Sequence, residues 1–199
     1  ANFLKGGIVF ADAVTTVSST YAEEIKTPFY GERLDGLMCA RSNDLRGIVN
    51  GIDYNEFNPE TDPYITKTYN ATTFRKEKVK NKIQLQKDLG LEENPKAMMI
   101  GIVSRLTDQK GFDLIAYVMD ELCQDAVQIV ALGTGDERYE NMFRHFDWKY
   151  HGKVSAQIYY DEKMSHRIYA AADAFLMPSL FEPCGLSQLM SLRYGTLPI

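Results

Sequence analysis

The sequence predicts an α/β fold in which an open parallel sheet, Rossmann-like, carries helices on both faces. Two observations predict it. From Met98 onward, short apolar runs alternate with helix-periodic stretches four times, and such alternation calls for parallel strands joined by crossover helices. Within it, Met98 to Val103 and Val127 to Leu132 are almost continuously apolar, as expected of strands buried on both faces.

The elements follow in order. Ile8 to Asp12 is apolar, and Ala13 to Ser19 has the β-branched make-up of a buried strand. Tyr21 to Ile25 reads as a short helix stopped before Pro28, with a further helical turn around Leu34 to Cys39. Arg46 to Asp53 reads as a strand closing in an Asn50-Gly51 turn, and Asn58-Pro59 with Asp62-Pro63 marks the loop beyond it. A helix is expected from Phe74 to Leu89, with Val79, Ile83, Leu85 and Leu89 as its apolar face and Gly90 as its terminator. Its neighbourhood, Lys67 to Lys87, holds seven basic residues against the single acidic Glu77. A charge run of this kind reads as a solvated face rather than as contact with an acidic partner.

In the regular half, strands are expected at Met98 to Val103, Val127 to Leu132, Val154 to Tyr160, Ala174 to Met177 and from Thr196 onward. The helices between them are Asp113 to Cys123, one carrying Tyr139, Met142, Phe143 and Phe146, and Glu162 to Ala172 with Asp161 as N-cap. A last helix is expected to begin at Glu182 to Pro183 and to end at Gly195.

Composition permits such a domain. With 199 residues, 45% hydrophobic and 25% charged, the chain can bury a core and fits one domain, or one domain with a piece of another. A net charge of −5 argues against general nucleic-acid binding. No run of about 18 apolar residues is present, so no membrane span is expected. Cys39, Cys123 and Cys184 are scattered, with no C-x-x-C pair and no histidine cluster beside them. Neither a disulfide framework nor a metal site is indicated. The chain opens on Ala1-Asn2-Phe3 and closes on Leu197-Pro198-Ile199 as though cut in mid-strand, which reads as a fragment.

Ligands of open parallel sheets bind outside the carboxyl ends of the strands, which directs attention to four loops. Ser104 to Gly111 places Arg105 and Lys110 just after the first strand of the regular half. A guanidinium fork and an ammonium could together neutralise a diphosphate without metal; the alternative is a pair of surface cations. Gly133 and Gly135 lack the third glycine of a dinucleotide fingerprint, and mean a tight turn when taken alone. Tyr160 could stack on a base or be half-buried packing. His166 reads as a polar surface or helix-packing residue. In the last loop, the helix N-terminus expected at Glu182 would leave the amides of Cys184, Gly185, Leu186 and Ser187 free to donate. Glu182 beside those amides would repel phosphate and suits hydroxyl groups or a developing positive charge; the alternative is a solvated charge stabilised by the helix dipole. A helix N-terminus would lower the Cys184 thiol pKa, yet no histidine adjoins it, which disfavours a nucleophilic role.

The motifs S-R-L-T-D-Q-K-G (104–111), L-G-T-G-D (132–136), Y-D-E-K-M-S-H-R-I-Y-A-A-A-D (160–173), F-E-P-C-G-L-S-Q (181–188) and L-R-Y-G-T-L-P (192–198) resemble, in that order, the C-terminal half of bacterial glycogen synthases and plant starch synthases. V-N-G-I-D (49–53) resembles the point where such enzymes pass from their N-terminal domain to their C-terminal one. The wider class of retaining glycosyltransferases carries a second glutamate where this chain has Met190, which favours the glucan synthases.

The resemblance implies the C-terminal half of a two-domain GT-B enzyme, cytoplasmic and without cofactor or metal, that transfers glucose from ADP-glucose to the non-reducing end of an α-1,4-glucan with retention. It implies that Arg105 and Lys110 hold the diphosphate and stabilise it as it leaves, and that Glu182 contacts the glucose. The amides of Cys184, Gly185, Leu186 and Ser187 would hold sugar and phosphate, Tyr160 would lie by the base, Asn50 would face the nucleotide cleft, and Gly133 and Gly135 would bind the nucleotide sugar. Residues 1–57 would be the tail of the acceptor-side domain and the hinge, 58–95 a basic linker and helix, and 96–199 the nucleotide-sugar-binding domain. The family's N-terminal lysine, double-glycine loop and sugar-facing histidine are not in these residues, so the chain alone is expected to bind nucleotide weakly and to be inactive. The rival expectations are another retaining GT-B enzyme using a UDP-sugar, and a non-catalytic nucleotide-sugar binding module.

Overall fold

The computed structural model of the protein describes residues 2–199; Ala1, counted in the first expected segment, lies outside them. The chain divides into two compact units, residues 1–51 with 182–186, and residues 52–181 with 187–199.

In the first unit, α1 (Phe3–Phe10) is capped by the Asn2 side chain, which accepts from the Lys5 amide at 3.0 Å. Its far end is closed by Arg41, whose guanidinium donates to the carbonyls of Ile8, Val9 and Ala11 at 2.6, 3.0 and 2.6 Å. Strand β1 (Val14–Thr16) is shorter than expected because the Ser18 hydroxyl caps α2 (Ser19–Glu24), accepting from the Tyr21 amide at 2.9 Å. After α3 (Asp35–Ala40), β2 (Leu45–Gly47) pairs in parallel with β1. Asn50-Gly51 makes no turn: the backbone runs irregularly to Asp53, whose carboxylate accepts from the Asn55 amide at 2.7 Å and sets the turn there.

The second unit carries the parallel sheet. Its elements are α4 (Phe74–Asp88), β3 (Met98–Val103), α5 (Phe112–Leu122), β4 (Val127–Leu132), α6 (Glu137–Lys149), β5 (Val154–Gln157), α7 (Glu162–Ala171), β6 (Ala174–Phe175), α8 (Leu186–Arg193, the first residue of which belongs to the first unit) and β7 (Leu197–Pro198). Strands pair in the order β5-β4-β3-β6-β7, all parallel. The continuous apolar runs are explained by the two faces they serve. Ile100, Ile102, Ile129 and Ala131 pack into one core with α5 and α6, while Met99, Val130 and Leu132 pack into another with α4 and α7. β5 stops at Gln157, short of Tyr160, where the Tyr159 amide turns back to the Gln157 carbonyl at 3.0 Å.

α4 departs most from expectation. Its inward face is Lys78, Asn81, Lys82, Leu85 and Gln86, while Val79 and Ile83 are only half-buried. The basic run is therefore not simply a solvated face. Lys78 Nζ donates to the carbonyls of Tyr169, Ala170 and Tyr194, each at 3.1 Å, and to Thr196 Oγ1 at 2.8 Å. Lys82 Nζ reaches the Ala97 carbonyl at 3.0 Å and Asp173 Oδ2 at 2.5 Å. The lysine stems cover apolar surface while the ammonium groups bond helix-end and loop carbonyls, so these polar residues serve as a packing stripe.

Candidate nucleotide-sugar site

Sequence order reverses at β3, where β4 and β5 lie to one side and β6 and β7 to the other. In open α/β sheets the ligand crevice opens at that switch point, outside the strand ends. The loop after β3 forms a 3-10 turn at Asp108–Lys110 that ends in Gly111. It is tied to the loop after β6: the Leu180 amide donates to the Gln109 carbonyl at 2.8 Å, and Gln109 Nε2 donates to the Phe181 carbonyl at 3.0 Å.

The same loop is zipped to the one after β4. The Leu106 amide bonds the Thr134 carbonyl at 2.9 Å, and the Asp136 amide bonds the Leu106 carbonyl at 2.7 Å. Both glycines of this turn are required by close approach, because a Cβ on Gly133 would stand 1.8 Å from the Ser104 carbonyl oxygen and one on Gly135 2.3 Å from that of Leu106. Packing between loops thus accounts for a glycine pair that looked weak in sequence.

Beside these loops lies a pocket of about 290 Å³. Of the residues singled out in the sequence, Arg105, Gly133, Tyr160 and Ser187 line it. Arg105 is exposed and its side chain makes no hydrogen bond or ion pair among the described residues. Tyr160 is 87% exposed, which leaves its ring free to act as a stacking surface. Ser187 hydrogen-bonds Tyr169, a buried phenol whose pKa burial pushes up to about 12. Gly135 lies in the zipped loop, and Lys110 is half-buried in the 3-10 turn. Asn50, Glu182, Cys184, Gly185 and Leu186 belong to the first unit.

Sequence reasoning missed Phe57, Ser165 and Tyr169 as wall residues, and noted Met190 only for the glutamate it replaces. Phe57 carries no local signal, since only the folded chain brings it to the pocket.

The expected start of the last helix is corrected. α8 begins at Leu186, not at Glu182 to Pro183. Gly185, with φ +74°, is left-handed and cannot continue a helix backwards, so Pro183 and Cys184 sit in a bend before it. The Cys184 amide and thiol are therefore not at the first turn of the helix.

His166 is buried, the helix-packing alternative, and not on the surface. Its Nδ1 lies 2.8 Å from Asp62 Oδ2 and 3.1 Å from the Tyr194 hydroxyl, and its ring stacks on Phe57 at 4.7 Å. Tyr194 also hydrogen-bonds Asp62. Burial raises the Asp62 pKa, but hydrogen bonds from His166, Tyr194 and the Tyr64 amide outweigh it and hold the carboxyl below its usual 3.8. A carboxyl lowered on folding contributes stability that is complete above pH 3.8 and disappears as the pH falls through the folded-state value. Acid unfolding followed by circular dichroism is expected to show the protein and its Asp62→Asn variant converging in stability below that pH; a constant gap between them would overturn this assignment.

Comparison with known proteins identifies the frame into which this geometry falls. The family described as glycosyl transferases group 1 matches residues 82–199, the stretch that holds the sheet and most of the pocket. The chain belongs to that family. A second family, the starch synthase catalytic domain, matches residues 1–40 of this glycosyltransferase chain.

Its relatives include the glycogen synthase of Lachnospira eligens, 76% identical over 199 residues, covering 100% of this chain and 42% of the relative. The glycogen synthase of Thermotoga maritima is 56% identical over 198 residues, covering 100% and 40%. This glycosyltransferase chain thus spans about two fifths of the length of the curated relatives it matches. Among solved structures, the catalytic domain of starch synthase IV from Arabidopsis thaliana, bound to ADP and acarbose, superimposes with a TM-score of 0.89 at 39% identity, covering 98% of this chain and 40% of that one. Anabaena HepE, in complex with UDP and glucose, shares the fold with a TM-score of 0.62 at 18% identity, covering 96% and 45%. The expected α/β, GT-B fold class holds. No helix of the described residues is long and apolar enough to cross a membrane.

Proposed function

We propose that this chain is the nucleotide-sugar-binding part of a cytoplasmic glycogen or starch synthase, which transfers glucose from ADP-glucose to the non-reducing end of an α-1,4-glucan with retention of configuration. The observation that carries the proposal is the pocket at the carboxyl ends of β3, β4 and β5, with Arg105 on its wall and its side chain without a hydrogen-bond or ion-pair partner among the described residues. An arginine held so is suited to the oxygens of a diphosphate.

Tyr160 offers the base a face, and the loop held by Gly133 and Gly135 lets backbone come close to the ligand. Lys110 adds positive charge on the Arg105 loop as the diphosphate leaves. Asn50, Glu182, Ser187 and the amides of Cys184, Gly185 and Leu186 keep the roles that the family resemblance implies. Stabilising the leaving diphosphate would supply much of the rate, since loss of one preorganised donor commonly costs about 10²–10³-fold. In this reading residues 1–57 end the acceptor-side domain and supply the hinge, 58–95 form the linker and helix, and 96–199 hold the donor. The names of the relatives and the ADP bound to the plant starch synthase support ADP-glucose over a UDP-sugar.

Calorimetric titration with ADP and with UDP tests it. ADP is expected to bind more tightly than UDP, and Arg105→Ala to weaken ADP about tenfold to hundredfold through the lost charge-assisted hydrogen bonds. Equal affinities for the two nucleotides, or an Arg105→Ala variant that binds like the parent, would overturn the reading.

A further inference from the structure

The strongest feature outside the pocket's own chemistry is a group of three side chains on its rim. The ligand-bearing atoms of Glu56, Glu162 and His166 all lie within 4.8 Å of one another. Glu162 and His166 are four apart on α7 and so share one helix face, and Glu56 comes from the segment before Phe57. An acidic pair by itself would mean little. The second observation is the histidine: its Nδ1 is committed to Asp62 and Tyr194, and Nε2, fully buried, has no hydrogen-bond partner among the described residues.

An Nδ1–H held by a carboxylate fixes the tautomer and leaves a lone pair on Nε2, the arrangement by which metal-bound histidines are oriented and made more basic. A buried nitrogen without a partner is costly unless something occupies its lone pair. The two glutamates add the matching negative charge. Two carboxylates so close repel each other, and a shared cation would relieve that repulsion.

We infer that Glu56, Glu162 and His166 form a binding site for one divalent transition-metal ion of the zinc class, which ties residues 52–57 to the start of α7. Imidazole nitrogen with carboxylate oxygen suits such an ion better than magnesium or calcium, whose ligands are oxygen alone. Metal–ligand distances of about 2.0–2.2 Å require the three atoms to draw somewhat closer, and both glutamates are exposed and able to swing. Water or substrate would complete the coordination. Phe57, stacked on the His166 ring, and Glu162 both line the pocket, so the ion would stiffen its rim.

The test is calorimetry of the chelator-treated protein with Zn²⁺, with Co²⁺ absorbance as a second reading of the ligand set. Expected are one equivalent bound, a visible Co²⁺ band of nitrogen and oxygen ligation, and binding to Mg²⁺ at least a hundredfold weaker. Glu56→Gln and Glu162→Gln should each weaken Zn²⁺ about tenfold or more. Asp62→Asn, which touches no metal, should weaken it about 10–100-fold by freeing the imidazole. Because these variants leave the buried ring in place, a folding failure of a His166 substitution does not bear on the outcome. No uptake of Zn²⁺, unchanged affinity in the Glu56→Gln, Glu162→Gln double variant, or equal affinity for Mg²⁺ would overturn the inference.

Discussion

Substituting Lys78 by methionine is expected to destabilise the protein by about 3 kcal/mol, because it removes the donor from oxygens that have no water to turn to. For a unit of this size that corresponds to a fall in Tm of roughly 6–12 °C. Lys78 Nζ stands among four oxygens, three of them carbonyls at the ends of α7 and α8. Tyr194 O retains the Tyr69 hydroxyl at 2.8 Å, and Thr196 Oγ1 still bonds the carbonyls of Tyr169 and Ala172. The loss therefore falls mainly on Ala170, and on the coupling of α4 to both helices. A fall below about 1 kcal/mol would mean that those carbonyls find other donors.

The same lysine carries a pH signature. Burial is the main cause that pushes its pKa down to about 7, with Asp173 opposing and Lys82 adding to the shift. Between pH 7 and the ordinary 10.5 the unfolded chain binds a proton that the folded chain has released, so the contribution of this site to stability rises with pH across that window. Denaturant melts at several pH values should show a slope in the parent that the methionine variant lacks. Near and above neutrality Lys78 is then a hydrogen-bonding amine as much as a charge, which is why its place on an inward helix face is tolerable.

α4 also shows where sequence reasoning reaches its limit. Periodicity found the helix to within one residue at its end, since Gly90 and the polar flank mark it, and put Leu85 and Leu89 on the core side, but missed the polar residues buried beside them. Apolar spacing assumes that burial follows hydrophobicity. Here Lys78, Asn81, Lys82 and Gln86 are buried because partners distant in sequence, such as the Tyr169 carbonyl, Asp173 and Gln128, satisfy them. No local window contains those partners.

β3 and β4 were legible to the residue because strands covered on both faces are apolar at nearly every position, Gln128 excepted, a signal that needs no partner to be read. At the site, Arg105 and Tyr160 could be found because strand ends point to loops. Phe57, Tyr169 and the Glu56, Glu162, His166 group could not, since each becomes a neighbour of the pocket only through the fold. The start of α8 was misread because Pro183 looks like a first helical residue, while the left-handed Gly185 two positions later decides the matter.

Replacing Gly111 by alanine is expected to cost about 2–5 kcal/mol. Gly111 has φ +70°, where a Cβ costs about 1–2 kcal/mol, and that Cβ would lie 2.0 Å from the Pro178 carbonyl oxygen and 2.9 Å from its carbon. Both are backbone atoms, so the two loops at the switch point must separate, at an overpacking cost of about 1–3 kcal/mol. Gly90 provides the control, being left-handed as well, at φ +67°, with nothing within 4 Å of its would-be Cβ. Gly90→Ala should therefore lose only the conformational part, and the difference between the two variants measures the close approach itself. Separation would also strain the Leu180 to Gln109 and Gln109 to Phe181 hydrogen bonds that set the loop bearing Arg105 and Lys110. Gly111→Ala should consequently weaken ADP under conditions where it remains folded, whereas Gly90→Ala should not. Equal losses of stability in the two variants would mean that the loops yield freely, and the switch point would then not be the rigid seat for a diphosphate that the proposed chemistry requires.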